Sequence, residues 1–376
     1  MKKSLVVVAL AGAMAFTAAS AETVLYGSIR LGAEVAKNHF NAEGEMNKRG
    51  LSMEDFGSRV GLKGSEDLGN GTKVLFQAEF GFDGMAGGKG FSNELRLAWI
   101  GLQGEWGTVA LGRQNNPFTE SLNAGTEADN FNGNYTSALR IATGAVVFGA
   151  DMPTRVGNSI AYVSPSFSGF NFVVAGITEV PTALKPLADT ATPAEIAAHN
   201  LDQYNAAGNK NKGFDIYTVG LNYVHESGFY AKAAYIGADL YKDQKRANAY
   251  GLNVGFENEQ FGVNADFAGA SQGRKGDQGV KTTSTAWDLG GHFSFGPDYF
   301  STVRATVGQS EVKYKTNATV KNKVTVWAVG FEQKLSTRTK VWVEYAKENN
   351  KWKVNGISGS AKNNTDAFSV GIRHDF

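Results

Sequence analysis

Period-two alternation is the pattern that most restricts how this chain can fold. From Tyr250 to Glu257, Tyr250, Leu252, Val254 and Phe256 share one parity, and Gly251, Asn253, Gly255 and Glu257 share the other. The next run repeats it, with Phe261, Val263, Ala265 and Phe267 against Gly262, Asn264, Asp266 and Ala268. Nearer the start, Val74, Phe76, Ala78, Phe80 and Phe82 oppose Lys73, Gln77, Glu79 and Asp83. Neighbouring side chains of a strand point to opposite faces, so each such run has one apolar and one polar or small face. A soluble sandwich and a membrane barrel both satisfy that rule.

The connections separate the two. Ser65 to Gly71, Gly104 to Gly107, His225 to Gly228, Glu257 to Gln260 and Gly296 to Asp298 are tight and rich in turn formers. Between them lie longer polar stretches at 37–55, 84–92, 117–153, 179–213, 271–283, 314–323 and 348–365. Short turns on one side and long loops on the other mark an outer-membrane barrel. The pattern predicts sixteen strands, at about 23–37, 55–65, 72–84, 92–103, 107–115, 156–164, 169–178, 213–224, 228–240, 248–257, 260–270, 284–295, 299–313, 323–334, 339–348 and 365–376. The fold class expected is therefore all-β, a sixteen-stranded antiparallel transmembrane β-barrel wide enough for a water-filled lumen. Aromatic residues at strand ends, including Trp99, Trp106, Phe167, Phe170, Phe229 and Phe261, are expected in its interfacial girdles.

Export is written into the first residues. A basic Met1-Lys2-Lys3, an apolar run from Leu5 to Phe16 and the small-x-small Ala19-Ser20-Ala21 predict a cleaved signal peptide over 1–21, leaving one barrel domain over 22–376. Loss of Lys2 and Lys3 leaves 35 basic against 36 acidic residues, a formal charge of −1. A nucleic-acid partner would need a markedly basic face, so none is expected. The absence of cysteine excludes disulfides, thiolate metal sites and thiol catalysis. In the fourth long loop, Thr192-Pro193-Ala194-Glu195 predicts a short helix over about 193–206.

Several motifs resemble the general diffusion porins of Gram-negative bacteria, most of all the neisserial and other betaproteobacterial ones. They are Leu25-Tyr26-Gly27, the run from Ser58 to Gly71, Ile100-Gly101-Leu102, Leu111-Gly112-Arg113, Asn158 to Pro165, Phe167 to Phe170, and Gly371 to Phe376. The resemblance implies a homotrimer in the outer membrane and a third extracellular loop, here about 117–153, folded inward to narrow the pore. It also implies that the aromatic Phe376 is part of a signal read by the assembly machinery. A constriction of that family sets wall arginines against loop acids. By motif the basic side falls on Arg59, Arg113 and Arg155, joined by Lys63; among the loop acids Glu120, Glu127, Asp129 and Asp151, the acidic side is expected on Glu127 and Asp129, just before Phe131-Asn132-Gly133, although Asp129-Asn130-Phe131 stands in place of the usual Pro-Glu-Phe.

Parity supports some of these assignments and not others. With Val60 and Leu62 facing lipid, Arg59 and Lys63 point inward; with Ile160 and Tyr162 outward, so does Arg155. Arg113 shares the parity of Val109 and Leu111, so only a bulge or the strand end turns it in. Arg30, Arg96, Lys232 and Arg304 are further expected lumen charges. The leading functional expectation is passive diffusion of small hydrophilic solutes and ions past a charged constriction. The alternatives are a surface receptor or adhesin barrel and, behind it, a barrel enzyme. Neither Gly-x-Ser-x-Gly nor His-Glu-x-x-His occurs, so no catalytic residue is assigned. No cofactor is expected, and no acidic or histidine spacing suggests a metal site. Lys347, Lys351, Lys353 and Lys362 in the last loops are placed to meet polyanionic lipopolysaccharide.

Overall fold

The computed structural model describes residues 22–39, 48–87, 94–124, 126–133, 135, 137–178, 213–240, 244–274, 281–315, 319–354, 357–360 and 364–376. The expected leader, the expected helix at 193–206 and Lys362 lie outside them. The first strands are β1 (Glu22–His39), β2 (Lys48–Asp55), β3 (Arg59–Asp67), β4 (Lys73–Gly81), β5 (Glu94–Gly104) and β6 (Gly107–Asn115). A long inward segment follows, and then β7 (Arg155–Val163), β8 (Phe170–Ile177), β9 (Ile216–Val224), β10 (Phe229–Ala238), β11 (Gln244–Glu257) and β12 (Phe261–Arg274). The sheet is completed by β13 (Lys281–Phe295), β14 (Ser301–Lys315), β15 (Thr319–Lys334), β16 (Thr339–Val354), β17 (Ile357–Ser360) and β18 (Thr365–Asp375).

These segments make sixteen courses of one closed antiparallel barrel. One course is shared by β2 and β3, since β1 pairs through Glu22–Ser28 with β3 and through Leu31–His39 with β2. The break falls at Phe56-Gly57-Ser58, where Gly57 takes φ +99° and Asp55 Oδ1 accepts from the Gly57 and Ser58 amides at 2.8 and 2.6 Å. β16 likewise pairs with both β17 and β18. Closure runs from Ser28 opposite Asp375 to Ala36 opposite Ala367.

The strands lie near where alternation puts them but run on into stretches expected as loops, with β2 inside 37–55, β14 and β15 reaching into 314–323, and β16 and β17 filling much of 348–365; their outward residues form an apolar surface. Leu25, Leu62, Ile100, Leu111, Leu221, Leu252, Val263, Leu289, Val329 and Ile372 are all exposed. A belt of that extent is incompatible with water and matches a hydrocarbon surround. Among the described residues no helix is long and apolar enough to cross a membrane. The girdle expectation needs one correction: Trp99 is 7% exposed and donates Nε1 to Gln77 Oε1 at 3.1 Å, so it belongs to the interior. Its parity is that of Leu97, and a bulge opposite Glu79 and Phe80 resets the strand there.

Candidate functional site

The segment between β6 and β7 folds into the barrel as three short helices, α1 (Pro117–Asn123), α2 (Glu127–Asn130) and α3 (Ala138–Val147). Local chemistry starts two of them. Asn116 Oδ1 accepts from the Phe118 amide at 3.1 Å with Pro117 in the first turn, and Ser137 Oγ accepts from the Arg140 amide at 3.2 Å. The neck is closed by Asn116 N to Thr154 O at 2.8 Å and by Asn116 Nδ2 and Thr119 Oγ1 to Pro153 O at 2.9 and 3.1 Å.

One face of the segment is apolar and has no lipid to meet. Phe118, Leu122, Val146, Val147 and Met152 bury against Ile177, Ile216, Ile236, Ala249 and Ala270 on the inner wall. Small wall residues make the room. A methyl on Gly251 would strike Leu122, and one on Gly290 would strike Glu127. Inward glycines and alanines in β10 to β13 are thus the docking floor, a role that strand patterning alone does not assign.

Polar wall groups then fix the backbone of the segment. Asp288 accepts from the Ala138 and Leu139 amides at 3.2 and 3.1 Å, placing a carboxylate on the N-terminus of α3. Glu344 takes the Asn132 and Gly133 amides, both at 2.9 Å. Lys232 Nζ donates to Ala124 O at 2.9 Å, Asn253 Nδ2 to Leu122 O at 3.0 Å and an Arg304 guanidinium nitrogen to Asn130 O at 2.7 Å. These wall groups come from β10 round to β16, so the segment crosses the lumen rather than lying along one strand.

What remains open is a cavity of about 820 Å³. Arg30, Arg59, Arg96 and Arg373 line one side, and Arg155, Arg140, Glu120 and Asp129 come from the loop and its neck. Glu79 holds the first group apart and in place, 2.6 Å from Arg96 Nε and 3.6 Å from Arg59 Nε, with Tyr26 donating to it at 3.0 Å. Glu332 does the same for Lys340 at 2.7 Å and Arg304 at 3.8 Å. On α1 the Glu120 carboxyl is pushed up to about 7 by burial and by Asp129, against the pull of Lys232 and Arg155.

The structure brings Arg30, Arg59, Arg96, Arg155, Arg304 and Asp129 to this opening and leaves four other expected residues elsewhere. Arg113 stays off the opening: opposite Ala98, at the bulge between Gly112 and Gln114, it donates Nε to Leu95 O at 2.7 Å. Lys63 stands over the Tyr26 ring, 5.5 Å from its centroid, away from the narrowing. Lys232 is buried beneath the loop as an anchor. Glu127 is 2% exposed and turned into the wall, where Oε1 meets His292 Nδ1 at 2.5 Å and its amide donates to Asn264 at 3.0 Å. Glu120 takes the place on the opening that the resemblance gives to Glu127. Its signal was the Asn116-Pro117 helix start, which sends the fourth residue on toward the lumen.

Comparison with known proteins places this architecture among relatives. A family model described as Gram-negative porin matches residues 5–353. The major outer membrane protein P.IB of Neisseria lactamica is 27% identical over 393 residues, covering all of both chains. The P.IB protein of Neisseria gonorrhoeae is 31% identical over 238 residues, a match that spans 62% of this chain but only 56% of that protein. Among solved structures, the anion-selective porin from Comamonas acidovorans superposes with a TM-score of 0.70 at 20% identity, covering 95% of this chain and 100% of that one. Salmonella typhi OmpF in complex with daunomycin gives 0.62 at 16% identity, covering 95% and 98%.

Proposed function

Since the chain belongs to the Gram-negative porin family and folds as an outer-membrane barrel, we propose that its lumen is a water-filled path for passive diffusion of small hydrophilic solutes and ions, with anions favoured at the narrowing. One observation carries the preference. Among the described residues, nine arginine and lysine side chains line the opening against six carboxylates. Selectivity in such a pore follows the sign of the lining charge at close range, where water is scarce and screening weak. The overall charge of the chain is near neutral and says nothing of this local excess. Arg59 and Arg155 both line the opening and belong to the positive wall of its transverse field, with Glu120 and Asp129 as the negative pole.

Reversal potentials in a potassium chloride gradient test this. Chloride permeates better than potassium in the wild type, and the Arg59→Ala/Arg155→Ala variant moves the ratio toward cations. A cation-selective wild type, or a double variant with an unchanged ratio, refutes the assignment. The same proposal takes the protein as a homotrimer whose barrels sit among lipopolysaccharide and are delivered by the assembly machinery through Phe376. In planar bilayers a trimer closes in three equal conductance steps, and single-step closure rejects it.

A further inference from the structure

One imidazole stands between a loop carboxylate that is hidden and a wall carboxylate that is not. His292 is an inward residue of β13, with Gly262 opposite it on β12 and Arg304 opposite it on β14. Its Nδ1 meets Glu127 Oε1 at 2.5 Å, and its Nε2 lies 3.7 Å from Glu257 Oε1. His292 and Glu257 line the opening, whereas the Glu127 side chain is 3% exposed and does not reach it. Two glycines make the niche: a methyl on Gly262 would strike the His292 ring and Glu257, and one on Gly290 would strike Glu127. Asn130 Nδ2 adds a contact of 3.3 Å to Glu127 Oε1, and Oε2 is buried with no hydrogen-bond partner among the described residues. An ionised carboxylate so placed needs a cation beside it. Arg304 is directed elsewhere, with one guanidinium nitrogen donating to Asn130 O at 2.7 Å and another 3.8 Å from Glu332. The partner of Glu127 is therefore His292.

We propose that His292 is a specificity-determining residue of the pore, a positioning residue that holds Glu127 neutralised and out of the opening. Each ring nitrogen faces a carboxylate oxygen, so a neutral ring, with a single N–H, would turn a lone pair on one of them. The imidazolium meets both. Its charge and that of Glu127 then cancel, and the excess of positive charge at the narrowing stands undiminished. Without the ring the niche opens to the water of the lumen, and Glu127 faces that water ionised, adding a negative charge to the lining. Glu120 and Asp129 thus act on passing ions, and Glu127 does so only when its histidine is lost. The proposal rests on the reading of the lumen as an ion path, but it concerns differences between variants and holds whichever sign the wild type prefers.

Reversal potentials of the full-length protein in planar bilayers, under a potassium chloride gradient, test it. At about pH 6 an ordinary histidine is mostly protonated and a wetted glutamate ionised, while Glu120 is largely uncharged. His292→Ala is expected to lower the chloride-to-potassium ratio by about twofold, through one uncovered charge at the narrowing. His292→Ala/Glu127→Gln is expected to return the ratio to the wild-type value, because both charges are removed together. Glu127→Gln alone leaves the imidazolium without its loop partner and is expected to raise the ratio. An unchanged ratio in His292→Ala overturns the proposal. So does a fall that persists in the double variant, since damage to the shape of the loop is not repaired by removing the charge of Glu127. If His292→Ala fails to fold, Glu127→Gln decides alone, and a ratio at or below the wild-type value overturns the proposal. A cation-selective wild type refutes the anion preference of the narrowing and leaves these differences between variants to be read as before.

Discussion

At Glu120 a carboxyl group stands inside a protein-lined opening, and its titration is set to fall within the working range of the molecule. Burial disfavours its charged form, Asp129 adds repulsion, and Lys232 and Arg155 offset them only in part, leaving it at about 7. Above that pH the opening carries the negative charge, and below it the charge is gone. Lowering the pH from about 8 to about 6 is therefore expected to raise the chloride-to-potassium ratio. Glu120→Gln should show the high ratio at both values and lose the dependence; a variant that keeps the full dependence would move the titration to another group. Residue parity made Arg59 and Arg155 legible from sequence, because a strand side chain has only two directions available. Arg113 was less so, since a bulge falls at its position, and the motif that argued against its parity did not bring it to the opening. Glu127 and Glu120 could not be told apart by parity, since a helical loop has none. Only the partners reached across the lumen, His292 and Asn264 for Glu127, decide which acid faces water.

For the elements, the strands were readable and the loop was not, and the reason is the range of the interactions that fix each. A one-residue slip would turn every apolar side chain of a strand into the lumen, so the strand pattern is written locally and strongly. The helices of the loop are short and are held by groups from distant strands, chief among them Asp288 on the N-terminus of α3. Their caps, Asn116 and Ser137, are visible in sequence, but the docking floor of Gly251, Gly290 and Ala270 is recognisable only once the barrel has been closed around it. Asp288→Ala removes two hydrogen bonds to a charged acceptor from a site that is 1% exposed. That loosens the loop by about 2–4 kcal/mol while leaving the barrel ladder intact. Single-channel recordings should show a larger and noisier conductance with the thermal transition of the barrel little changed. A conductance equal to wild type would mean that the apolar contacts of Phe118, Leu122 and Val147 hold the loop without the cap.

The whole molecule depends on one seam, where the first strand meets the last. β1 and β18 pair from Ser28 to Ala36, and below that register Gly27 and Phe376 exchange both backbone hydrogen bonds, at 3.0 and 3.1 Å. The Phe376 ring covers Gly27 so closely that a methyl there would overlap it. The residue therefore combines a backbone that extends closure with a ring, 41% exposed, that faces outward. Substitution separates the two. Phe376→Ala keeps both backbone bonds, so purified protein should refold in detergent to nearly the wild-type yield, seen as the heat-modifiable band on a gel. Deleting Phe376 removes the pair of bonds, worth about 1–3 kcal/mol together, and should lower that yield. In cells the order changes if the ring is the part that the assembly machinery reads, because Phe376→Ala then fails to reach the outer membrane as badly as the deletion does. A Phe376→Ala protein that assembles normally in cells would leave Phe376 a closing residue alone, and one that fails to refold in detergent would make the ring part of the seam itself.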